Sequence, residues 1–181
     1  MRLLEHIAGQ SRAVIENVTP KRADDRYPIK RIVGETIRVE ADIFADGHDE
    51  IAAALRTNHT GDSNWIESPM LPLMPIQRDR WRGEFIAVSV GTTSFSIEAW
   101  VDRFRTWRRN LLARLLAGQD TTLDMLLGRD LMQEAAAAGS AAERARLLEW
   151  SRSLADSTDE RRRALGEDQV LSQMMWKYLP R

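Results

Sequence analysis

The spacing of apolar residues changes once along this chain, near residue 103, and that change constrains the fold more than any other feature. Before it, apolar side chains recur at every second position, as in strands with one buried face. After it they recur at about 3.6 residues, as in amphipathic helices. Thr36–Phe44 shows the strand pattern most clearly: Ile37, Val39, Ala41 and Ile43 alternate with Arg38, Glu40, Asp42 and Phe44. Thr92–Val101 repeats it, with Phe95, Ile97, Ala99 and Val101 opposite Ser94, Ser96, Glu98 and Trp100. Arg80–Val88 sets Trp81 and Phe85 opposite Arg80, Arg82 and Glu84. Weaker patterns cover Ala13–Val18, Ile29–Val33, Ile51–Thr57 and Asn64–Glu67, and Gly34, Asp46-Gly47, Gly61-Asp62 and Gly91 punctuate them as turns require. Short alternating strands at this spacing predict an antiparallel β-sandwich of about seven strands. A parallel sheet would need helical crossovers of about a dozen residues, and the pattern shows none before residue 103.

The second part predicts a small helical bundle. Phe104, Trp107, Leu111 and Leu115 form one stripe, with Leu112 and Leu116 widening it, between a capping Asp102 and Gly118. Asp120 suits the start of a second helix carrying Leu123, Leu126, Leu127, Leu131 and the run Ala135–Ala138. Ser140 with Glu143, and Ser157 with Glu160, have capping-box spacing. A third helix carries Leu147, Leu148 and Leu154, a fourth stops near Gly166, and a fifth starts at Asp168 with Val170, Leu171, Met174, Met175 and Tyr178. The expected organisation is a sandwich over 11–103 and a helical subdomain over 104–179.

Composition narrows the function. The 181 residues are too few for a (β/α)₈ barrel, which takes roughly 250. Without cysteine, disulfide scaffolds, Fe–S sites and thiol catalysis are excluded. Twenty-six basic against 27 acidic residues leave a net charge of −1 and no field to attract nucleic acid or an anionic membrane. Glu5 and His6 interrupt the N-terminal apolar run, and no stretch approaches the roughly 18 apolar residues of a membrane span. The expectation is a soluble cytoplasmic protein with no cofactor.

The chain has no nucleotide-binding glycine loop, no HExxH and no GxSxG. His6, His48 and His59 are scattered. Asp46, His48, Asp49 and Glu50 offer oxygen and nitrogen donors, but one short loop supplies too few ligands for a calcium site, and a solvated turn is the expected role. No catalytic and no metal residue is therefore assigned. Of the six tryptophans, Trp81 and Trp107 fall on buried stripes. Trp100 and Phe44 fall on the polar faces of their strands, and Trp65 shares a face with Glu67. Large aromatics there either lie beneath another element or bind something. Trp100, Phe44 and Trp65 are thus the candidate interface or sugar-stacking residues.

Five blocks then carry a resemblance. They are Ala13-Val-Ile-Glu-Asn-Val-Thr-Pro20, Tyr27-Pro-Ile-Lys-Arg-Ile-Val-Gly-Glu35, Glu40-Ala-Asp-Ile-Phe-Ala-Asp-Gly-His-Asp49, Asp79-Arg-Trp-Arg-Gly83 and Glu98-Ala-Trp-Val-Asp-Arg-Phe-Arg-Thr-Trp-Arg109. Together they resemble the N-terminal region of the bacterial α-1,4-glucan:maltose-1-phosphate maltosyltransferases of glycoside hydrolase family 13. The resemblance implies an enzyme that moves a maltosyl unit from maltose 1-phosphate to the non-reducing end of an α-1,4-glucan such as glycogen, with two carboxylates in a barrel domain that follows this region. It implies that the region is a non-catalytic immunoglobulin-like antiparallel β-sandwich carrying a small helical bundle, contributing to a homodimer. No position here matches a catalytic or donor-binding motif, so α-1,4-glucan and maltose 1-phosphate are expected to bind the barrel. The family returns to the sandwich after the helices, so a chain ending at Arg181 resembles an excised piece lacking an edge strand. The alternatives are a glucan-binding module and a stand-alone immunoglobulin-like interaction scaffold.

Overall fold

The computed structural model describes residues 13–21, 28–60, 63–74, 79–155 and 158–181. Those residues form antiparallel sheets followed by five helices, and the chain divides between Val101 and Asp102 into two compact units. Among them, no helix is long and apolar enough to cross a membrane.

The strands are β1 (Ala13–Thr19), β2 (Thr36–Ala45), β3 (Ile51–His59), β4 (Ile66–Pro69), β5 (Leu71–Pro72), β6 (Arg80–Ile86) and β7 (Thr93–Val101). One sheet has the order β1-β2-β6-β5 and the other β4-β3-β7. Alternation decides which side of each strand is buried. Ile37, Val39, Ala41, Ile43 and Trp81 of the first sheet share one apolar cluster with Ala53 and Leu55 of the second, and Met70 joins them. The sheets approach closely at Gly83. A Cβ there would stand 3.0 Å from Leu55 Cβ and Cδ2 and 3.1 Å from Met70 Cγ.

Three details differ from expectation. Residues 29–33 are not a strand. Ile32 accepts from Glu35 N at 3.0 Å and donates to Glu35 Oε2 at 3.1 Å, so a local turn uses the groups a ladder would need. The strand expected at Asn64–Glu67 begins at Ile66, because the carbonyl of Asn64 is taken by the Asn58 side chain at 3.1 Å. The two-residue β5 has no sequence pattern long enough to register. Gly61-Asp62 and Tyr27 lie outside the described residues.

The helices are α1 (Arg103–Leu116), α2 (Thr122–Ala138), α3 (Ala141–Ala155), α4 (Asp159–Glu167) and α5 (Gln169–Tyr178). Asp102 caps α1 through Arg105 N at 2.8 Å, and Gly118, at φ 63°, ends it. Ser140 and Glu143 form the capping box of α3, and Asp168 caps α5 by accepting from Val170 N and Leu171 N. Thr158 caps α4, while Ser157 lies outside the described residues. One core joins Phe104, Trp107, Leu111 and Leu115 of α1 to Met132, Leu147, Leu154, Leu171 and Met175.

The second helix departs from the leucine stripe. It buries Asp124, Met125, Gly128, Met132, Ala135 and Ala136, and exposes Leu123, Leu126 and Leu127; Leu116 is exposed too. Packing of Trp107 decides the rotation. Its indole Nε1 donates to Asp124 O at 2.6 Å, and a Cβ on Gly128 would stand 2.4 Å from Trp107 Cζ2. Only a glycine face lets the flat ring lie against α2. Asp124, 3% exposed, is matched by Arg114 Nη1 at 3.0 Å.

Candidate functional site

The outward face of the β1-β2-β6-β5 sheet is a charge ladder. Register places Arg38 opposite Glu84, Glu40 opposite Arg82 and Asp42 opposite Arg80. Arg82 Nη2 meets Glu40 Oε1 at 2.7 Å, Arg80 Nε donates to Glu40 Oε2 at 3.2 Å, and Arg80 Nη1 donates to Asp42 Oδ1 at 3.1 Å. A register shift in β1 between Glu16 and Thr19, with Asn17 at φ 49°, brings the Asn17 carbonyl to Arg80 Nη1 at 2.9 Å. The Asn17 amide donates to Asp42 Oδ2 at 2.7 Å. Arg82 and Arg80 hold the Glu40 carboxyl below its usual range, and Asn17 with Arg80 does the same for Asp42. Both shifts favour the charged form of these carboxylates. The ladder was legible as alternating charges on two strands, and only antiparallel register converts that alternation into pairs.

The candidate aromatics do not converge. Phe44, 37% exposed, stands opposite Val14 on the ladder face of the first sheet. Trp100 is half-buried on the second sheet, opposite Ala52. Trp65, 44% exposed, precedes β4, and the Arg56 guanidinium lies 5.8 Å from its ring centroid. Arg56 also lies 3.9 Å from Glu98, two residues from Trp100 along β7. The second sheet therefore carries Trp65, Arg56, Glu98 and Trp100 on one face, around buried Ala52 and Ala54. Phe44 points away from the shared core on the other sheet.

A cavity of about 720 Å³ lies where β1, β2, β6 and β7 end. Phe85 and Phe95 form its aromatic wall at 6.5 Å between centroids, and Lys21 and Arg31 stand at its rim. His59 fixes two of its hydroxyls, with Nδ1 3.1 Å from Thr93 Oγ1 and Nε2 3.0 Å from Ser89 Oγ. Among the described residues its lining includes no carboxylate. No sequence signal marks it, because it arises from distant strand ends. Asp46, His48 and Asp49 are exposed and Glu50 half-buried, and no group of three metal-ligating side chains occurs among the described residues.

In the helical unit burial holds the Asp102 carboxyl above its usual range, yet it is engaged as the cap of α1. Glu143 is driven down to about 2 by the Ser140 hydroxyl, Tyr178 and Lys177.

Residues 11–181 match the domain described as alpha-1,4-glucan:maltose-1-phosphate maltosyltransferase, domain N/S. The chain belongs to this maltosyltransferase family. Its domain N/S is 39% identical to the enzyme of that name from Chlorobaculum tepidum, over 76% of this chain and 20% of that protein. It is 39% identical to the Myxococcus xanthus enzyme over 68% of the chain and 19% of the protein, and 35% identical to the Pseudomonas aeruginosa enzyme over 72% and 19%. The matched part of domain N/S spans about a fifth of the length of these relatives.

Proposed function

We propose that this chain is a non-catalytic accessory module of an enzyme that transfers maltosyl units from maltose 1-phosphate to α-1,4-glucan. The observation that carries the reading is the match of residues 11–181 to domain N/S of enzymes with that printed activity. The side chains agree with it. A retaining glycosidase, the mechanism of glycoside hydrolase family 13, needs a nucleophilic carboxylate and a carboxylic acid about 5 Å apart, the acid with a raised pKa. Glu40 and Asp42 are shifted the other way by arginine and asparagine, Asp102 is spent on a helix cap, and the described lining of the cavity includes no acid. The reacting groups then belong to other parts of the enzyme.

The architecture we infer is an immunoglobulin-like sandwich with a helical bundle after its last strand. The order β1-β2-β6-β5 and β4-β3-β7 corresponds to the A-B-E-D and C′-C-F arrangement of such sandwiches. The whole enzyme works in the cytoplasm as a homodimer in this reading, with this module contributing to self-association. Pure chain incubated with maltose 1-phosphate and glycogen is expected to release no phosphate; steady release would overturn the assignment.

A second reading, glucan binding, is favoured by exposed Trp65 beside Arg56. Retarded migration in glycogen-containing gels, abolished by Trp65→Ala, would establish it. Unretarded migration removes it.

A further inference from the structure

Arg56 stands at the centre of the outward face of the β4-β3-β7 sheet. Register places it opposite Glu67 on β4 and Ser96 on β7, and it places Glu98 opposite Ala54, the neighbouring outward position of β3. In the ladder of the first sheet, arginines donate to their carboxylates at 2.8 to 3.2 Å. Arg56 and Glu98 are arranged differently. Arg56 Nη1 comes no nearer than 3.9 Å to Glu98 Oε2, an ion pair too long for a hydrogen bond. Their side chains are 43% and 41% exposed, so both present polar atoms to solvent across that gap. The same guanidinium lies 5.8 Å from the ring centroid of Trp65, which is exposed and belongs to neither apolar cluster.

The chemistry of the gap selects its ligand. A hydroxyl oxygen about 2.9 Å from each group accepts from the guanidinium and donates to the carboxylate. Neither an anion nor a cation satisfies both. Glu67 and Glu98 flank Arg56, two carboxylates to one guanidinium, and this balance opposes an anionic ligand. The indole beside the gap suits a ring with an apolar face and a rim of hydroxyls. We propose that Trp65, Arg56 and Glu98 form a subsite for one neutral glucosyl unit of an α-1,4-glucan. The apolar face of the sugar rests on Trp65, and one of its hydroxyls bridges Arg56 and Glu98. A phosphorylated sugar is disfavoured by the two carboxylates. The subsite deepens the glucan-binding reading above and rests on it.

Titration of the isotope-labelled 181-residue chain with maltoheptaose, followed through its amide spectrum, reads the subsite directly. Saturable shifts are expected at Arg56, Trp65 and Glu98, and maltose 1-phosphate is expected to produce none there. Trp65→Ala is expected to abolish saturation. Arg56→Lys keeps the charge but removes the planar fork, and it is expected to raise Kd about tenfold. Glu98→Gln, which keeps the shape and removes the charge, is expected to raise it by a smaller factor. No saturable shift with maltoheptaose overturns the subsite and the glucan-binding reading together. Saturation centred on other residues overturns the subsite and keeps glucan binding. Saturation that Trp65→Ala abolishes but Arg56→Lys and Glu98→Gln leave unchanged overturns the hydroxyl bridge alone. Saturation of the same three residues by maltose 1-phosphate overturns the choice of a neutral ligand.

Discussion

Gly83 and Gly128 do the same job in the two units, and they do it against different partners. In the sheets Gly83 admits the aliphatic Leu55 and Met70, whose Cδ2 and Cγ rotate with their side chains, although Leu55 Cβ, also at 3.0 Å, is fixed to its backbone. In the helices Gly128 admits the indole of Trp107, a plate that cannot fold and whose Nε1 is tied to Asp124 O. The sheet unit spreads its specification over an alternating pattern, a shared apolar cluster and a ladder of charge pairs. The helical unit concentrates it at one ring and one glycine. A unit of the second kind is more vulnerable to a single added methyl.

The largest expected effect follows from that difference. Gly128→Ala forces a Cβ into the Trp107 ring and should destabilise the helical unit by about 3 kcal/mol, even after the roughly 1 kcal/mol that alanine gains in helix propensity. Urea unfolding followed by amide spectra of residues 102–181 reads this. Gly83→Ala should cost about 1–2 kcal/mol, because Leu55 Cδ2 and Met70 Cγ can turn away and only Leu55 Cβ must give by a few tenths of an ångström. Equal costs would erase the contrast between a rigid and a yielding partner. Arg80→Ala comes next, at about 1 kcal/mol, since this guanidinium, 16% exposed, serves Glu40, Asp42, Asn17 and Thr19 at once. Its loss should appear in the sheet unit and leave the melting of the helices unchanged.

Acid sharpens the comparison further. Glu40, Asp42 and Glu143 all have folded values below their ordinary ones. Each contributes stability that is complete above its unfolded value and is lost as pH falls toward its folded one. For Glu143 that window runs from 4.5 down to about 2. Urea midpoints should therefore decline across this range in both units. Ser140→Ala should flatten the decline in the helices alone, because the Ser140 hydroxyl is the main cause of the Glu143 shift. The smallest effect is expected at Trp65→Ala, within about 0.5 kcal/mol, because Trp65 is an exposed ring outside every ladder.

How much could be read from residues alone follows the same division. Strand faces were legible because a period of two leaves one choice of side, and β2 places Ile37, Val39, Ala41 and Ile43 inward as the alternation requires. The caps at Asp102, Ser140 and Asp168 were legible because they are local. The rotation of α2 was not. Leucine, methionine and alanine occur around much of that helix, and the choice of buried side depends on Trp107, which is remote in sequence. Ile29–Val33 carried a strand's composition, but the Glu35 side chain and carbonyl geometry closed a turn first. Of the candidate site, the outward placement of Trp65 and Phe44 was legible. Their separation on two sheets required the strand order, and the cavity beside Phe85 and Phe95 required the meeting of four strand ends.

We propose that Glu40, Asp42, Asp102 and Glu143 serve structure and that the reacting centre lies elsewhere in the enzyme. The most direct measurement is a titration of the isotope-labelled chain with maltose 1-phosphate, followed through its backbone amide spectrum. No residue from 13 to 181 is expected to show a saturable shift. Saturable shifts clustered around Glu40 and Asp42, around Asp102, or at the cavity rim by Lys21 and Arg31 would contradict it.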